Sequence, residues 1–355
     1  MNNDRIQEIL DLMEEARLDY FLISDPQSIA YCTGYYNDPH ERMFVFMVSK
    51  HGNHTLFMND LFYLEHDLGV NIVWHKDGQD AIQTIVNEMH FPGRIGIDKN
   101  WASHFLLDLM KKLPNAKYIN ASPCVDLVRM KKDLQEQVLM IESSKINDAV
   151  MEEIIPFIQE GVTEKQLAKK LDELFFNHHS TCYGAIVAFG KNAADPHHEN
   201  DDTLLRKGNC VLIDMGCVYK GYCSDMTRTF FYEGILEEEI KVYEIVKKAN
   251  EAAEAMIKPG VKLSDIDKCA RKVISDEGYG KYFTHRLGHF IGRDVHEYGD
   301  VSSVNEMEVE EGMIFSIEPG IYLEGNFGVR VEDLVMVTKD GCQVLNSFTK
   351  DIYII

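Results

Sequence analysis

The sequence lacks several features that mark whole classes of protein. No segment is rich in Lys and Arg with interleaved aromatic residues, and 58 acidic residues outnumber 36 basic ones, for a formal net charge of −22. So negative a chain repels a phosphate backbone, and we expect no nucleic-acid partner. The longest apolar runs, such as residues 43–48, fall far short of the roughly 20 residues that cross a bilayer. We therefore expect no membrane partner either.

Secretory and disulfide patterns are also missing. The N-terminus has no basic segment followed by an uninterrupted hydrophobic stretch, which is the pattern of a signal peptide. The eight cysteines are scattered, with no Cys-x-x-Cys pair, in a chain too large to depend on disulfides. We interpret them as reduced core residues and expect a cytoplasmic protein.

The length of 355 residues favours two domains. Up to about residue 125, amphipathic helical segments alternate with the β-rich runs LDYFLIS, MFVFMV, HTLFMN, NIVWH and RIGID, which predicts a small α/β domain. After a break at residues 121–123 the pattern changes to a long helix and further strands. We predict an α/β domain over 1–127 and an α+β domain over 128–355.

The second domain contains an internal repeat, and a helix begins at the corresponding place in each copy. Thr163 and Gln166 have the spacing of a capping box at the start of one helix. In the later copy, Ser264 is predicted to be the N-cap of the corresponding helix. Two copies of a helix–hairpin unit could therefore pack about a pseudo-twofold axis.

Each copy of the repeat also carries two carboxylates. An apolar strand contains Asp214 in the first copy and Glu318 in the second, each six residues after a glycine. Asp225 follows the first by eleven residues and Glu332 follows the second by fourteen. The pseudo-symmetry would bring all four to one point. An isolated buried carboxylate is costly, so four together need neutralising partners.

Salt bridges alone would leave this charge uncompensated, because the basic residues near the four acids in sequence are Arg228 and Arg330. Two divalent cations would supply the missing charge. The glycine-containing segment 284–292, which includes His285 and His289, is expected to add an imidazole. Oxygen ligands with one imidazole suit Mn²⁺, Co²⁺ or Fe²⁺ as well as Zn²⁺.

Six motifs resemble signatures of the pita-bread metallopeptidases, the superfamily of methionine aminopeptidase, prolidase and aminopeptidase P. They are IDMG at 213–216, SDMTRTF at 224–230, HRLGHFIG at 285–292, VHE at 295–297, IEPGIY at 317–322 and GVRVED at 328–333. The resemblance implies an α+β pita-bread catalytic domain and a metal-dependent hydrolase. It further implies a homodimer and two divalent cations, of which we expect Mn²⁺.

The resemblance also assigns ligands. It implies that Asp214 chelates one metal ion, that His289 and Glu318 hold the other, and that Asp225 and Glu332 bridge the pair. Glu318 is also expected to act as the general base.

Three further histidines are expected in the substrate pocket. The segment 189–198 resembles the family stretch that lines this pocket, and His197 is its matching histidine. By the same resemblance, His197 and His296 hold the substrate carbonyl or the tetrahedral intermediate, and His285 also lies in the pocket.

The substrate depends on the branch of the family. Residues 31–35 and 40–42 resemble the N-terminal domain of prolidases and aminopeptidases P, which favours short proline-containing peptides. All five ligands are present, whereas creatinases lack the complete cage. We expect an Xaa-Pro dipeptidase, with an aminopeptidase P acting on longer peptides as the alternative. A non-enzymatic pita-bread binding protein, or a metal enzyme with a non-peptide substrate, is less favoured.

One departure from the prolidase pattern bears on peptide length. Many prolidases place an arginine shortly after the VHE motif to bind the C-terminal carboxylate of a dipeptide, yet residues 294–329 contain no Lys or Arg. Arg293, Arg330 or a residue of the N-terminal domain could take this role.

Overall fold

The structure is a computed structural model that describes residues 1–90 and 92–355. It divides into two compact units, Met1–Arg129 and Met130–Ile355. This division lies two residues after the boundary predicted from sequence. In the described part of the chain, no helix combines the length and apolar character needed to span a membrane.

The first unit is built on a six-stranded mixed sheet with strand order β4-β3-β2-β1-β5-β6. Its strands are β1 (Tyr20–Ile23), β2 (Val45–Ser49), β3 (Thr55–Asn59), β4 (Asn71–His75), β5 (Arg94–Ile97) and β6 (Lys117–Asn120). Its helices are α1 (Asn3–Glu15), α2 (Pro26–Thr33), α3 (Ala81–Glu88), α4 (Ser103–Lys112) and α5 (Pro123–Met130), the last of which ends on the first residue of the second unit. The five β-rich runs correspond to β1–β5, whereas the edge strand β6 was not predicted.

Alternation along the central strand β1 explains why this sheet is covered on both faces. Phe21 and Ile23 pack into one apolar cluster, and Tyr20 and Leu22 pack into another. Because successive side chains of a strand point to opposite faces, one strand contributes to both cores. All four side chains are buried.

The second unit contains helices α6 (Leu134–Ile154), α7 (Glu164–Asn177), α8 (Glu237–Met256) and α9 (Leu263–Asp276). The capping box of Thr163 and Gln166 at the start of α7 is confirmed. The predicted cap of α9 was wrong, because this helix begins at Leu263 and Lys262 is its N-cap. The hydroxyl of Ser264 instead donates to Glu306 Oε1 at 3.0 Å.

The strands of the second unit include two split hairpins. They are β7 (Thr181–Cys182), β8 (Ile186–Phe189), β9 (Cys210–Met215), β10 (Cys217–Tyr219), β11 (Tyr222–Cys223), β12 (Met226–Phe231), β13 (Gly288–His289), β14 (Asp300–Val301), β15 (Ile314–Ile317), β16 (Gly320–Leu323), β17 (Phe327–Arg330), β18 (Asp333–Val337) and β19 (Cys342–Val344). In the first hairpin β9 pairs with β12, and β10 with β11. In the second, β15 pairs with β18, and β16 with β17.

A buried asparagine fixes the break in each hairpin. Asn147 on α6 donates from Nδ2 to the carbonyl oxygen of Met215 at 3.0 Å. Asn250 on α8 donates to the carbonyl oxygen of Ile317 at 2.9 Å. Met215 and Ile317 are sequence neighbours of the predicted ligands Asp214 and Glu318. The long helix of each copy therefore holds the strand next to one ligand in place. This correspondence confirms the pseudo-twofold repeat and the α+β class.

Candidate active site

The split hairpins deliver the predicted ligands to one place. Asp214 lies near the end of β9, and Asp225 immediately precedes β12. Glu318 directly follows β15, and Glu332 lies between β17 and β18. His289 is the last residue of β13. All five side chains line a single pocket of about 500 Å³.

Three of the five residues form a group compact enough for a metal ion. Asp225, His289 and Glu332 are buried, and one ligand atom from each lies within 4.8 Å of the others. His289 Nε2 is 3.6 Å from Asp225 Oδ2 and 3.7 Å from Glu318 Oε1. Glu318 therefore adjoins the same group through the imidazole.

The carboxylates strongly disfavour each other's ionised form. Burial raises the pKa of Glu332 well above its usual value, and the charges of Asp225, Glu318 and Asp214 raise it further. Burial also raises the pKa of Glu318 to about 7, and that of Asp214 above its ordinary value. Charges held so close need positive partners. Oxygen donors with one imidazole are a donor set that divalent cations accept, so the residues fit a metal centre.

The five predicted ligands together are called the cage, and Arg330 places a positive charge of the protein itself against it. Its Nη2 donates to Asp214 Oδ2 at 2.6 Å, and its Nε donates to Thr227 Oγ1 at 3.1 Å. The Thr227 hydroxyl donates in turn to Glu332 Oε2 at 2.6 Å. One arginine thus orients a carboxylate from each hairpin while compensating one negative charge.

Arg228, the other nearby arginine in sequence, binds a different acid. It is buried, and its Nη2 donates to Asp333 Oδ1 at 2.7 Å. Its Nη1 donates to the carbonyl oxygen of Glu332 at 2.6 Å, which fixes the backbone of that ligand. The four cage carboxylates therefore gain no side-chain ion pair from Arg228.

His289 is oriented by the strands around it. Its Nδ1 lies 3.2 Å from the carbonyl oxygen of Phe290, so the proton belongs on Nδ1 and Nε2 faces the carboxylates. Burial lowers the pKa of His289, but the nearby carboxylates of Asp225 and Glu318 raise it more, and the net direction is upward. A Cβ at the preceding Gly288 would lie 1.9 Å from the carbonyl oxygen of Ser316.

The three predicted pocket histidines also line this pocket, in different states. His197 is exposed. The ring centroid of His296 lies 4.2 Å from that of His289. Burial and the nearby charges of His289 and Arg286 lower the pKa of His296 to about 4.

Both ring nitrogens of His285 are bonded to the protein. Nδ1 lies 2.7 Å from the carbonyl oxygen of Arg286, and Nε2 lies 2.8 Å from Tyr322 Oη. Burial and the charge of Arg330 lower the pKa of His285 to about 4. A neutral ring that donates from Nδ1 and accepts at Nε2 satisfies both contacts.

Two polar side chains of the pocket were missed by the sequence reasoning, those of Tyr183 and Arg286. Tyr183 donates from its hydroxyl to the carbonyl oxygen of Ser224 at 2.7 Å, and a Cβ at Gly216 would lie 1.9 Å from that hydroxyl. Arg286 lines the pocket beside His285. The HRLGHFIG motif contains Arg286, but its histidines and glycines were the residues interpreted.

A second acidic cluster serves a structural purpose. Glu164 at the start of α7 accepts hydrogen bonds from the backbone N–H groups of Phe189 and Asp201 at 2.8 and 3.0 Å. It also accepts from Asn192 Nδ2 at 2.9 Å and lies 2.6 Å from His198 Nε2. The carboxylate is therefore saturated, and it clasps the loop that carries His197 and Pro196 into the pocket.

Comparison with protein families gives two matches. The model of metallopeptidase family M24 matches residues 138–339, and that of the creatinase/prolidase N-terminal domain matches residues 5–131. The chain belongs to metallopeptidase family M24. It is a metal-dependent peptidase, as the sequence motifs predicted.

Solved structures resemble this M24 peptidase along its whole length. A dipeptidase from Pyrococcus horikoshii OT3 is 34% identical with a TM-score of 0.92, covering 99% of this chain and 100% of its own. An Xaa-Pro dipeptidase from Bacillus anthracis is 28% identical with a TM-score of 0.93, covering 99% of each chain. An X-Pro aminopeptidase from Thermotoga maritima MSB8 is 28% identical with a TM-score of 0.85, covering 97% and 100%. These similarities confirm the predicted pita-bread fold.

Proposed function

We propose that this peptidase is an Xaa-Pro dipeptidase whose cage binds two divalent cations. The ligands in this proposal are Asp214, Asp225, His289, Glu318 and Glu332. The observation that carries it is the convergence of four carboxylates and one imidazole in a single pocket. Among the described residues, Arg330 is the one Lys or Arg that forms an ion pair with these carboxylates. Compensating three remaining negative charges takes more than one divalent cation.

The positions of the ligands support the assignment of bridging and terminal roles. Asp225 and Glu332 occupy equivalent positions in the two copies of the repeat, and they belong to the same compact group. Asp214 and Glu318 are the equivalent outer pair, with His289 beside Glu318. We infer Mn²⁺ as the cation, because oxygen ligands predominate.

When bound, the cations would supply Lewis-acid chemistry that polarises a carbonyl and lowers the pKa of water. Glu318 faces the pocket with a carboxylate oxygen and acts as the general base, because it can take the proton of the attacking water and later pass it to the proline nitrogen. His296 and His197 line the same pocket and donate hydrogen bonds to the oxyanion as it develops. The Glu164 clasp fixes the loop of His197.

The substrate class rests on the names of the similar proteins together with the N-terminal domain. The Bacillus anthracis protein is an Xaa-Pro dipeptidase and the Thermotoga maritima protein an X-Pro aminopeptidase. A bond in front of proline is the feature that these two names share. We further infer a cytoplasmic homodimer with an α/β domain over residues 1–127 and a catalytic domain over 128–355.

A peptide panel with metal analysis tests this proposal. The metal-loaded protein is assayed on Leu-Pro, Leu-Pro-Gly and Leu-Ala, and bound metal is measured by elemental analysis. We expect two metal ions per chain, cleavage of Leu-Pro, and nearly complete loss of this activity in Glu318→Gln and His289→Ala. Near-normal turnover in metal-replete variants would contradict the assigned roles.

The same panel separates the alternatives. Faster cleavage of Leu-Pro-Gly than of Leu-Pro would identify an aminopeptidase P. Failure to retain metal would indicate a binding protein without activity. Retention of two metal ions with no cleavage of any peptide would point to a non-peptide substrate.

A further inference from the structure

The two arginines of the pocket differ in what they bind. Arg330 is buried and donates to Asp214 at 2.6 Å and to Tyr322 Oη at 3.0 Å. Arg286 is exposed, and its guanidinium has no hydrogen bond or ion pair with any residue that the structure describes. A guanidinium remains protonated at any physiological pH. The Arg286 guanidinium thus gives the pocket a permanent positive charge, and none of the described residues accepts a hydrogen bond from it.

The backbone of Arg286 is nevertheless held firmly. Its carbonyl oxygen accepts from His285 Nδ1 at 2.7 Å, and His285 Nε2 lies 2.8 Å from Tyr322 Oη. The same hydroxyl accepts from Arg330, which is bonded to the cage. A short chain of hydrogen bonds therefore connects the backbone of Arg286 to Asp214. The guanidinium of Arg286 takes no part in this chain, and its N–H donors stay available to a ligand. This is the arrangement that suits a ligand-binding residue.

A dipeptide needs such a cation close to the scissile bond. One residue spans at most about 3.6 Å, so the C-terminal carboxylate of a dipeptide lies beside the carbonyl that is attacked. Four acidic side chains line this pocket and repel that carboxylate. Residues 294–329 supply no Lys or Arg, Arg330 is already paired, and Arg293 is outside the pocket lining.

Building on the proposed dipeptidase function, we propose that Arg286 binds the C-terminal carboxylate of the substrate. Its planar guanidinium can form two parallel hydrogen bonds to a carboxylate. A longer peptide has an uncharged peptide group at this position and gains no such pair. Arg286 therefore sets the preference for dipeptides over longer substrates, in place of the arginine missing after the VHE motif.

The test compares an acid with its amide. Leu-Pro and Leu-Pro-NH₂ share the scissile bond and differ in the group that Arg286 is proposed to bind. Values of kcat and KM are measured for the metal-loaded wild type, Arg286→Gln and Arg286→Lys. Arg206→Gln is the matched control, because Arg206 is exposed in the same unit and outside the pocket lining.

We expect Arg286→Gln to lower kcat/KM for Leu-Pro by about tenfold to a hundredfold, mainly through KM, because a hydrogen-bonded charge pair is lost. Hydrolysis of the amide should remain unchanged. Lysine keeps the positive charge but lacks the planar pair of N–H donors. The kcat/KM of Arg286→Lys for Leu-Pro should therefore lie between those of the wild type and Arg286→Gln. Arg206→Gln should match the wild type on both substrates.

Other outcomes overturn the proposal in distinguishable ways. An equal loss on acid and amide would make Arg286 a structural residue, and no loss on either would place the carboxylate elsewhere. If the wild type cleaves Leu-Ala but neither proline substrate, the proline proposal fails and Leu-Ala with its amide decides the role of Arg286. A metal-loaded wild type that cleaves none of these peptides overturns both proposals.

Discussion

Removing the metal should make the stability of this protein strongly dependent on pH. Burial and neighbouring charges hold the pKa of Glu318 at about 7 in the metal-free fold, against an ordinary value of 4.5. Below pH 4.5 this carboxyl is protonated in both folded and unfolded chains. As pH rises from 4.5 to about 7, the unfolded chain releases the proton while the folded chain retains it. The free energy of unfolding of the metal-free protein therefore falls across this window.

The size of the effect follows from the shift. Each pKa unit corresponds to about 1.4 kcal/mol, so Glu318 alone costs the metal-free fold on the order of 3 kcal/mol above neutral pH. Raised pKa values at Glu332 and Asp214 act in the same direction. Bound cations favour the ionised carboxylates, so the metal-loaded protein should show no such decline.

The assay is urea unfolding from pH 5 to pH 8, with and without chelator. Unfolding is followed by far-UV circular dichroism, which reports on both units. Tryptophan fluorescence would report on the first unit alone, because Trp74 and Trp101 both lie there. We expect Glu318→Gln to be more stable than the wild type without metal at pH 8, and to gain less from added metal. Glu324→Gln, an exposed change in the β16–β17 turn, is the control and should match the wild type. A metal-free wild type with the same stability at pH 5 and pH 8 would refute the reasoning.

Two further substitutions test how the site is held. Gly288→Ala places a Cβ 1.9 Å from the carbonyl oxygen of Ser316, so it should separate β13 from β15, displace His289 and weaken metal binding in a metal titration. Gly341→Ala, where the nearest atom is 3.9 Å away, should bind metal normally, and equal affinities would contradict the steric argument. Glu164→Gln replaces a carboxylate oxygen that accepts hydrogen bonds by an NH₂ group, which faces the N–H donors of the neighbouring loop. The change should lower the free energy of unfolding by about 1–3 kcal/mol. We expect lower peptidase activity with unchanged metal content, and wild-type kinetics would exclude a positioning role.

Several elements of the fold could be read from local pattern. The runs that became β1–β5 are dense in β-branched and aromatic residues, and Thr163 with Gln166 has the spacing of a capping box. Strand β6 was missed because its short sequence KYIN lies at the sheet edge and is only partly buried. Ser264 was misassigned because a hydroxyl near a helix start can cap it or bond elsewhere, and here Glu306 competes for it.

A stronger repeat signal was available in the sequence. Asn147 and Asn250 occupy matching places on the long helices of the two copies, and each binds the carbonyl before a break in its hairpin. An asparagine within an amphipathic helix normally passes for a surface residue. Both side chains are fully buried, and that burial follows only from the packing of the helices on the hairpins.

The sequence by itself determined which acids could meet, because the spacing of Asp214, Asp225, Glu318 and Glu332 follows from a duplicated hairpin. It could not assign their partners. Only the tertiary structure decided that Arg330 pairs with Asp214 while Arg228 binds Asp333. It also decided that Arg286 lines the pocket with a guanidinium that no other described residue pairs. The physical reason is that ligand spacing repeats with strand register, whereas ion pairing depends on where side chains from distant segments come to lie.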